Sequence, residues 1–164
     1  MTGTVAIIQA RLNSSRLPGK VLYELAGRPV LALLIDRVRR TAGIDEIVVA
    51  TGDTEHNAAL IEIVSSLGIA TVVGPEDDVL ARYALAARRY EADVIVRLTG
   101  DCPFGDPEVI GAVIAELASK SLDYCCNVLP PSWPDGLDVS VFTREALEMA
   151  HEEARLPSER EHVV

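Results

Sequence analysis

Within ten residues, Arg11-Leu-Asn-Ser-Ser-Arg-Leu-Pro-Gly-Lys20 gathers three cations, two hydroxyls and a glycine. That set matches what a polyphosphate needs: donors from backbone and side chains converging on anionic oxygens, with fixed positive charge to offset them. Arginine offers a planar fork and lysine a compact ammonium, and both suit phosphate. The segment is not a P-loop, which would require glycine at position 14 and a hydroxyl residue at position 21, where Ser14 and Val21 stand. The chain also lacks a G-x-G-x-x-G fingerprint. On chemistry alone, a phosphate cradle and a solvated surface loop are equally good readings.

A second group is acidic. Asp101, in Arg97-Leu-Thr-Gly-Asp-Cys-Pro103, is a carboxylate among small residues. Magnesium is held by one or two carboxylates together with phosphate and water, so Asp101 can serve as a metal ligand or, alternatively, close an Asx turn. Asp106 precedes Pro107 and Glu108, and capping a helix accounts for it fully. Arg97 can meet a substrate carboxylate or phosphate, or sit in a structural ion pair. His56 and His151 have no metal-ligating partner three or four residues on and read as structural or solvent-facing. Trp133, in Pro130-Pro-Ser-Trp-Pro134, can stack on a sugar or pack under a sheet edge.

These residues are placed by a regular alternation of elements. Short apolar runs predict strands at Thr4–Ala10, Glu46–Thr51, Ile69–Val73, Asp93–Leu98, Tyr124–Asn127 and Leu137–Phe142. Between them lie helical patterns. One starts at Pro29 and runs through Val30, Leu31, Leu34, Ile35 and Val38 until Gly43; another is capped by Asp53 or Thr54 and reaches Leu67. Three more cover Glu76–Tyr90, Pro107–Ser119 and the stretch from a Thr143 cap to Arg155. Alternation along the strand puts Asp138 and Ser140 on one side and Val139 and Val141 on the other. Strands alternating with helices predict an α/β fold, a mostly parallel sheet covered on both faces. Ligands of such sheets bind beyond the carboxyl ends of the strands, which points to Arg11–Lys20, Thr51–Asp53 and Thr99–Asp106.

Composition sets the bounds. At 164 residues there is room for one domain and one core, and with 49% hydrophobic but only 4% aromatic residues that core is aliphatic. No apolar stretch approaches the roughly 18 residues of a membrane span, and the run Val5–Ile8 is too short for a signal peptide. The formal net charge of -10 argues against nucleic-acid or anionic-membrane partners. Its distribution is uneven: residues 1–40 hold 7 Lys+Arg and 2 Asp+Glu, a balance of +5, which leaves 8 and 23, or −15, for the remainder. A basic opening on an acidic protein suggests a local use for the cations, although Arg37, Arg39 and Arg40 are explained by a helix end. Cys102, Cys125 and Cys126 form no disulfide framework and fit reduced thiols in the cytoplasm.

The run Ile8-Gln-Ala-Arg-Leu-Asn-Ser-Ser-Arg-Leu-Pro-Gly-Lys-Val-Leu22 resembles the opening motif of the cytidylyltransferases that make CMP-linked acidic sugars, nearest to their spore-coat polysaccharide, SpsF-like branch. The resemblance continues through Val48–Asp53, Asp78–Tyr83, Arg97–Pro103, Asp135–Phe142 and Ser158–His162, essentially the whole chain. It implies a Rossmann-like three-layer nucleotidyltransferase fold shared with GT-A glycosyltransferases, and transfer of CMP from CTP to a sugar hydroxyl with Mg²⁺ and release of pyrophosphate. On that resemblance the backbone of Ala10, Arg11, Leu12 and Asn13 holds the nucleotide, with Ser14 in the same loop. Arg11, Arg16 and Lys20 meet the phosphates, and Thr51, Gly52, Asp53 and Arg82 lie by the base. Asp101 holds the metal, while Arg97, Asp138 and His162 approach the acceptor. Lys20, Arg16 and Asp101 are the expected catalytic set.

The chain departs from the family pattern in two places. Related sequences carry glutamate where Ser140 stands, and they run some dozens of residues beyond position 164, supplying a second acidic metal ligand there. The expectation is therefore a single domain over 1–164 without that later part, and a homodimer by analogy. Two other functions fit the same features: a GT-A-like glycosyltransferase using a nucleotide-sugar donor, and a non-catalytic nucleotide-binding module.

Overall fold

In the computed structural model, residues 3–14 and 16–163 are described, so Ser15, the second hydroxyl of the basic loop, lies outside the described residues. In chain order the elements are β1 (Thr4–Gln9), a 3₁₀ turn (Lys20–Leu22), β2 (Glu24–Leu25), β3 (Arg28–Pro29), α1 (Val30–Val38), β4 (Glu46–Thr51), α2 (Ala58–Ser66) and β5 (Ala70–Val73). There follow α3 (Val79–Arg89), β6 (Val94–Thr99), α4 (Pro107–Lys120), β7 (Tyr124–Cys126), β8 (Ser140–Thr143), α5 (Arg144–Glu153) and α6 (Pro157–His162).

Among the described residues the main sheet has six strands in the order β5-β4-β1-β6-β8-β7. The first four run parallel; β8 is antiparallel to both β6 and β7. Buried parallel strands read as continuous apolar runs, because helices cover both faces. β1 shows why: Ala6 and Ile8 face a core with Leu31, Leu34 and Ile35 of α1, Leu60 and Val64 of α2, and Val109, Ile110 and Val113 of α4. Val5 and Ile7 face the opposite core with Val79, Leu80, Tyr83 and Ala87 of α3 and Leu147 of α5. The result is the expected three-layer α/β architecture.

The register sets the strand ends level. Gln9 pairs with Ala50 of β4 and with Thr99 of β6. The loops that follow β1, β4 and β6 therefore leave the same edge of the sheet. The chain winds from β1 out to β4 and β5, then returns through α3 to β6 on the other side of β1. This reversal is a topological switch point, the place where adjacent loops part and leave a crevice.

Several expected boundaries move, each for a local reason. The third predicted helix starts at Val79 rather than Glu76, because the Asp78 carboxylate accepts from Ala81 N and caps it. α2 starts at Ala58, not after Asp53 or Thr54: Asp53 Oδ1 accepts from His56 N and so closes a turn ahead of the helix. The strand expected over Leu137–Phe142 begins only at Ser140, which leaves Asp138 in the preceding loop and removes the strand alternation argued for it. The β2–β3 ribbon and α6 carry no period that the sequence reading could detect. The caps at Asp106 and Thr143 are as expected.

Tyr83 ties α3 to the switch point. Fully buried, its hydroxyl donates toward the carbonyls of Ile7 in β1, at 3.0 Å, and Leu98 in β6, at 3.2 Å. Burial pushes its pKa up to about 12 from 10.0. A raised folded-state pKa means that the contribution is complete below pH 10 and is lost as pH climbs through about 12. Tyr83→Phe is expected to cost about 1–2 kcal/mol at neutral pH in urea unfolding. The wild-type advantage should then fall by on the order of 2 kcal/mol between pH 10 and 12, vanishing or changing sign. A difference that is flat across that range would contradict the assignment.

Candidate active site

The loop after β1 is closed on itself by its backbone. Leu12 O accepts from Ser14 N at 2.9 Å and from Gly19 N at 2.8 Å. Gly19 has φ 72°, the left-handed region that a side chain disfavours, and the 3₁₀ turn carrying Lys20 follows directly. On the facing side, β6 ends in a turn in which Cys102 N donates to Thr99 O at 3.1 Å, presenting Asp101 at its tip. Between these two lips lies a cleft of about 310 Å³.

Ala10, Arg11, Ser14, Arg16 and Lys20 line one lip, and Gly100 and Asp101 the other. Arg82, Arg97 and, from α6, Glu161 and His162 complete the lining. The structure thus brings together most of the residues singled out from the sequence. Thr51, Gly52 and Asp53 do not line the cleft. Thr51 and Gly52 are buried, and the Asp53 carboxylate is occupied by His56, through its backbone N–H and its ring Nδ1 at 2.8 Å. Leu12 and Asn13 also stay outside the lining, and exposed Asp138 lies in the loop ahead of β8.

Two of the cleft's cations, Lys20 and Arg11, are paired with carboxylates. Lys20 Nζ is bonded to Asp101 Oδ2, each side chain about one-third exposed. Burial raises the Asp101 carboxyl, but the bonded Lys20 ammonium, its own backbone N–H and the Thr99 hydroxyl outweigh that and hold it below the ordinary aspartate range. Arg11 Nη1 lies 3.7 Å from Glu76 Oε1 and donates to Glu76 O at 3.4 Å. Arg82, only 1% exposed, donates to the carbonyls of Pro75 at 2.7 Å and Glu76 at 2.6 Å. Arg97 has no ion-pair partner among the described residues, and its buried Nε and the buried Oε1 of Gln9 lack hydrogen-bond partners there. The structural ion pair offered as one reading of Arg97 is therefore not found among the described residues.

Near the acidic lip, burial raises the Cys102 thiol, and the charges of Asp101, Asp138 and Asp135 push it further, against a hydrogen bond from Thr99. Asp138 is raised by burial and then by Asp135, with Arg97 opposing. Ser140 is buried and pairs its Oγ with Tyr124 OH at 3.2 Å.

A family model described as cytidylyltransferase matches residues 5–162. The chain belongs to the cytidylyltransferase family. It is 39% identical over 161 residues to the uncharacterized protein MJ1063 of Methanocaldococcus jannaschii, covering 97% of this chain and 64% of that one. It is 38% identical over 128 residues to the spore coat polysaccharide biosynthesis protein SpsF of Bacillus subtilis, covering 76% and 53%. A 3-deoxy-manno-octulosonate cytidylyltransferase from Anaeromyxobacter shares 40% identity over 116 residues, 70% of this chain and 46% of the other. The chain thus spans about half to two-thirds of these relatives. Among solved structures, a cytidylyltransferase from Leptospira borgpetersenii superposes with a TM-score of 0.96 at 31% identity, over 100% of this chain and 70% of that one. A CMP:2-keto-3-deoxy-manno-octonic acid synthetase complexed with CTP superposes at 0.76 with 20% identity, which shows the shared fold. No helix of the described residues is long and apolar enough to cross a membrane.

In this cytidylyltransferase-family chain two positioning features escaped the sequence reading. Asn57 is fully buried at the N-cap of α2, yet its amide makes no capping bond. Instead Oδ1 accepts from Leu12 N at 2.9 Å, while Nδ2 donates to Asp53 O at 2.9 Å and to Glu76 Oε2 at 3.3 Å. One side chain thereby staples the loops after β1, β4 and β5. Gly52 makes room for this: a Cβ there would lie 1.5 Å from Glu76 Oε2. The only signal was a polar residue inside an otherwise helical pattern. Second, α6 is fastened by Arg160, whose Nη1 reaches Asp78 Oδ2 at 2.7 Å and whose Nη2 donates to His151 O at 3.0 Å. Asn57→Ala leaves three partners unsatisfied, and a loss of about 2–4 kcal/mol in chemical denaturation is expected. Trypsin should also cut at Arg11, Arg16 or Lys20 several-fold faster; an unchanged cleavage rate would contradict the staple.

Proposed function

We propose that the cleft binds CTP with a magnesium ion, and that the chain transfers CMP to a hydroxyl of an acidic sugar, releasing pyrophosphate. The observation that carries this reading is the meeting of Lys20, Arg16 and Arg11 with Asp101 at the switch point of the sheet. The names of the relatives SpsF and 3-deoxy-manno-octulosonate cytidylyltransferase support both the nucleotide and a polysaccharide precursor as acceptor.

Asp101 fits a hard divalent cation. It is an oxygen donor held at a strand end beside the basic loop, and among the described residues no group of three His, Cys, Asp or Glu competes with it as a metal site. A single protein carboxylate suits magnesium when phosphate oxygens and water complete the shell. Bound there, the ion would offset phosphate charge.

The chain's own residues do the rest by position and charge. Arg11, Arg16 and Lys20 face the phosphates and stabilise the negative charge that grows on the leaving pyrophosphate. The acceptor hydroxyl attacks the α-phosphorus in line: the new O–P bond forms as the bond to the β-phosphate oxygen breaks, and the hydroxyl proton is released. Arg97 and His162, which both line the cleft, are the residues assigned to the acceptor, with the Arg97 guanidinium the match for its carboxylate.

Pyrophosphate release from CTP with a 2-keto-3-deoxy sugar acid tests the reading. Asp101→Ala and Lys20→Ala should each lower kcat/KM by roughly 10²-fold or more. Because a partly exposed ion pair contributes only about 0–1 kcal/mol, their melting temperatures should stay within a few degrees of wild type. Normal turnover by Asp101→Ala would overturn the assignment. Release of a free nucleoside diphosphate from a nucleotide-sugar, with none of pyrophosphate from CTP, would replace it with glycosyl transfer.

A further inference from the structure

Lys20 and Asp101 stand 81 positions apart in sequence and on opposite lips of the cleft, yet Nζ of one is bonded to Oδ2 of the other. Among the described residues this carboxylate is the side-chain partner of the Lys20 ammonium. Arg11 is held differently, by both the carboxylate and the backbone carbonyl of Glu76. Lys20 ends a flexible four-carbon stem and is one-third exposed, so it is free to swing.

We propose that Lys20 is an internal placeholder at Asp101: it keeps a divalent cation off that carboxylate until a triphosphate draws the ammonium away, so nucleotide and metal enter as a coupled pair. The proposal rests on the reading of this cleft as a metal–triphosphate site.

The argument is one of charge. A dication approaching Asp101 alone must displace an ammonium from the same oxygen and remain beside it, against like-charge repulsion at contact range. A triphosphate offers Lys20 several anionic oxygens in place of one carboxylate. Once Lys20 turns to them, Asp101 is left uncompensated beside a polyanion, and a dication between the two removes that repulsion. Each ligand thus prepares the site of the other, and the coupling must be reciprocal. The ion pair seen across the cleft gives way to two attractive contacts of opposite charge, lysine with phosphate and aspartate with metal.

The test uses the whole chain and Mn²⁺ as a spectroscopic probe, followed by electron paramagnetic resonance without nucleotide. Removing the placeholder with Lys20→Met should tighten Mn²⁺ binding about tenfold. Lys20→Gln serves as a second variant should the first fold poorly, and both are checked by melting temperature. The double variant Lys20→Met/Asp101→Asn should lose the gain. In EDTA, Asp101→Asn should bind CTP about fivefold more tightly than wild type, because Lys20 is released. Unchanged or weaker Mn²⁺ binding in both Lys20 variants overturns the proposal, as does a gain that survives in the double variant, or an Asp101→Asn chain that binds CTP no better in EDTA. If wild type fails to bind CTP even at saturating Mg²⁺, the functional reading falls, whereas the nucleotide-free Mn²⁺ measurement still decides whether Lys20 blocks Asp101.

Discussion

The reversal of winding at β1 governs the geometry of this protein. β1 is flanked by two parallel strands to which it is not directly joined through a tight turn: β4 is reached over α1 and β6 over α3. Right-handed crossovers oblige those two helices to lie on opposite faces of the sheet. The loops after β1 and β6 are then forced apart although their strands are hydrogen bonded neighbours, with Gln9 opposite Thr99. The crevice is a product of topology. The residues that line it decide its chemistry.

Those residues work against the net charge of the molecule. A chain of formal charge -10 repels a polyanion at a distance. Beyond a Debye length of about 8–10 Å that field is screened at physiological salt, so attraction has to be built at contact range. The basic lip does this with three cations on one loop, and Asp101 on the facing lip offsets one of them, Lys20. Glu76 has the same office toward Arg11 and Arg82, and Asn57 keeps its carboxylate in place.

The fold was largely readable from the sequence because its periodicities are strong and its core is aliphatic. Val5, Ile7 and Ile8, or Val48 and Val49, are buried on both faces, and a continuous apolar run is what such strands must show. The boundaries that moved did so where a single side chain decides: Asp78 as a cap, Asp53 closing a turn before α2. The cleft itself was legible in part. Arg11, Arg16, Lys20 and Asp101 could be found since phosphate and metal chemistry constrain residue type. Asn57 could not, because its role depends on three backbone segments meeting in space, and an asparagine near a helix start has an ordinary explanation. Thr51–Asp53 leaves the sheet at the same edge without lining the crevice, which strand order alone does not reveal.

One last feature bears on the energetics of ligand capture. The ring that Leu12 O closes with Ser14 N and Gly19 N, pinned from outside by Asn57, orders both ends of the basic loop before anything arrives. The conformational entropy of fixing those segments is therefore spent during folding, and an incoming anion meets a preorganised host. Affinity in this design is set chiefly by how well the guest matches waiting donors, and hardly by the work of assembling them.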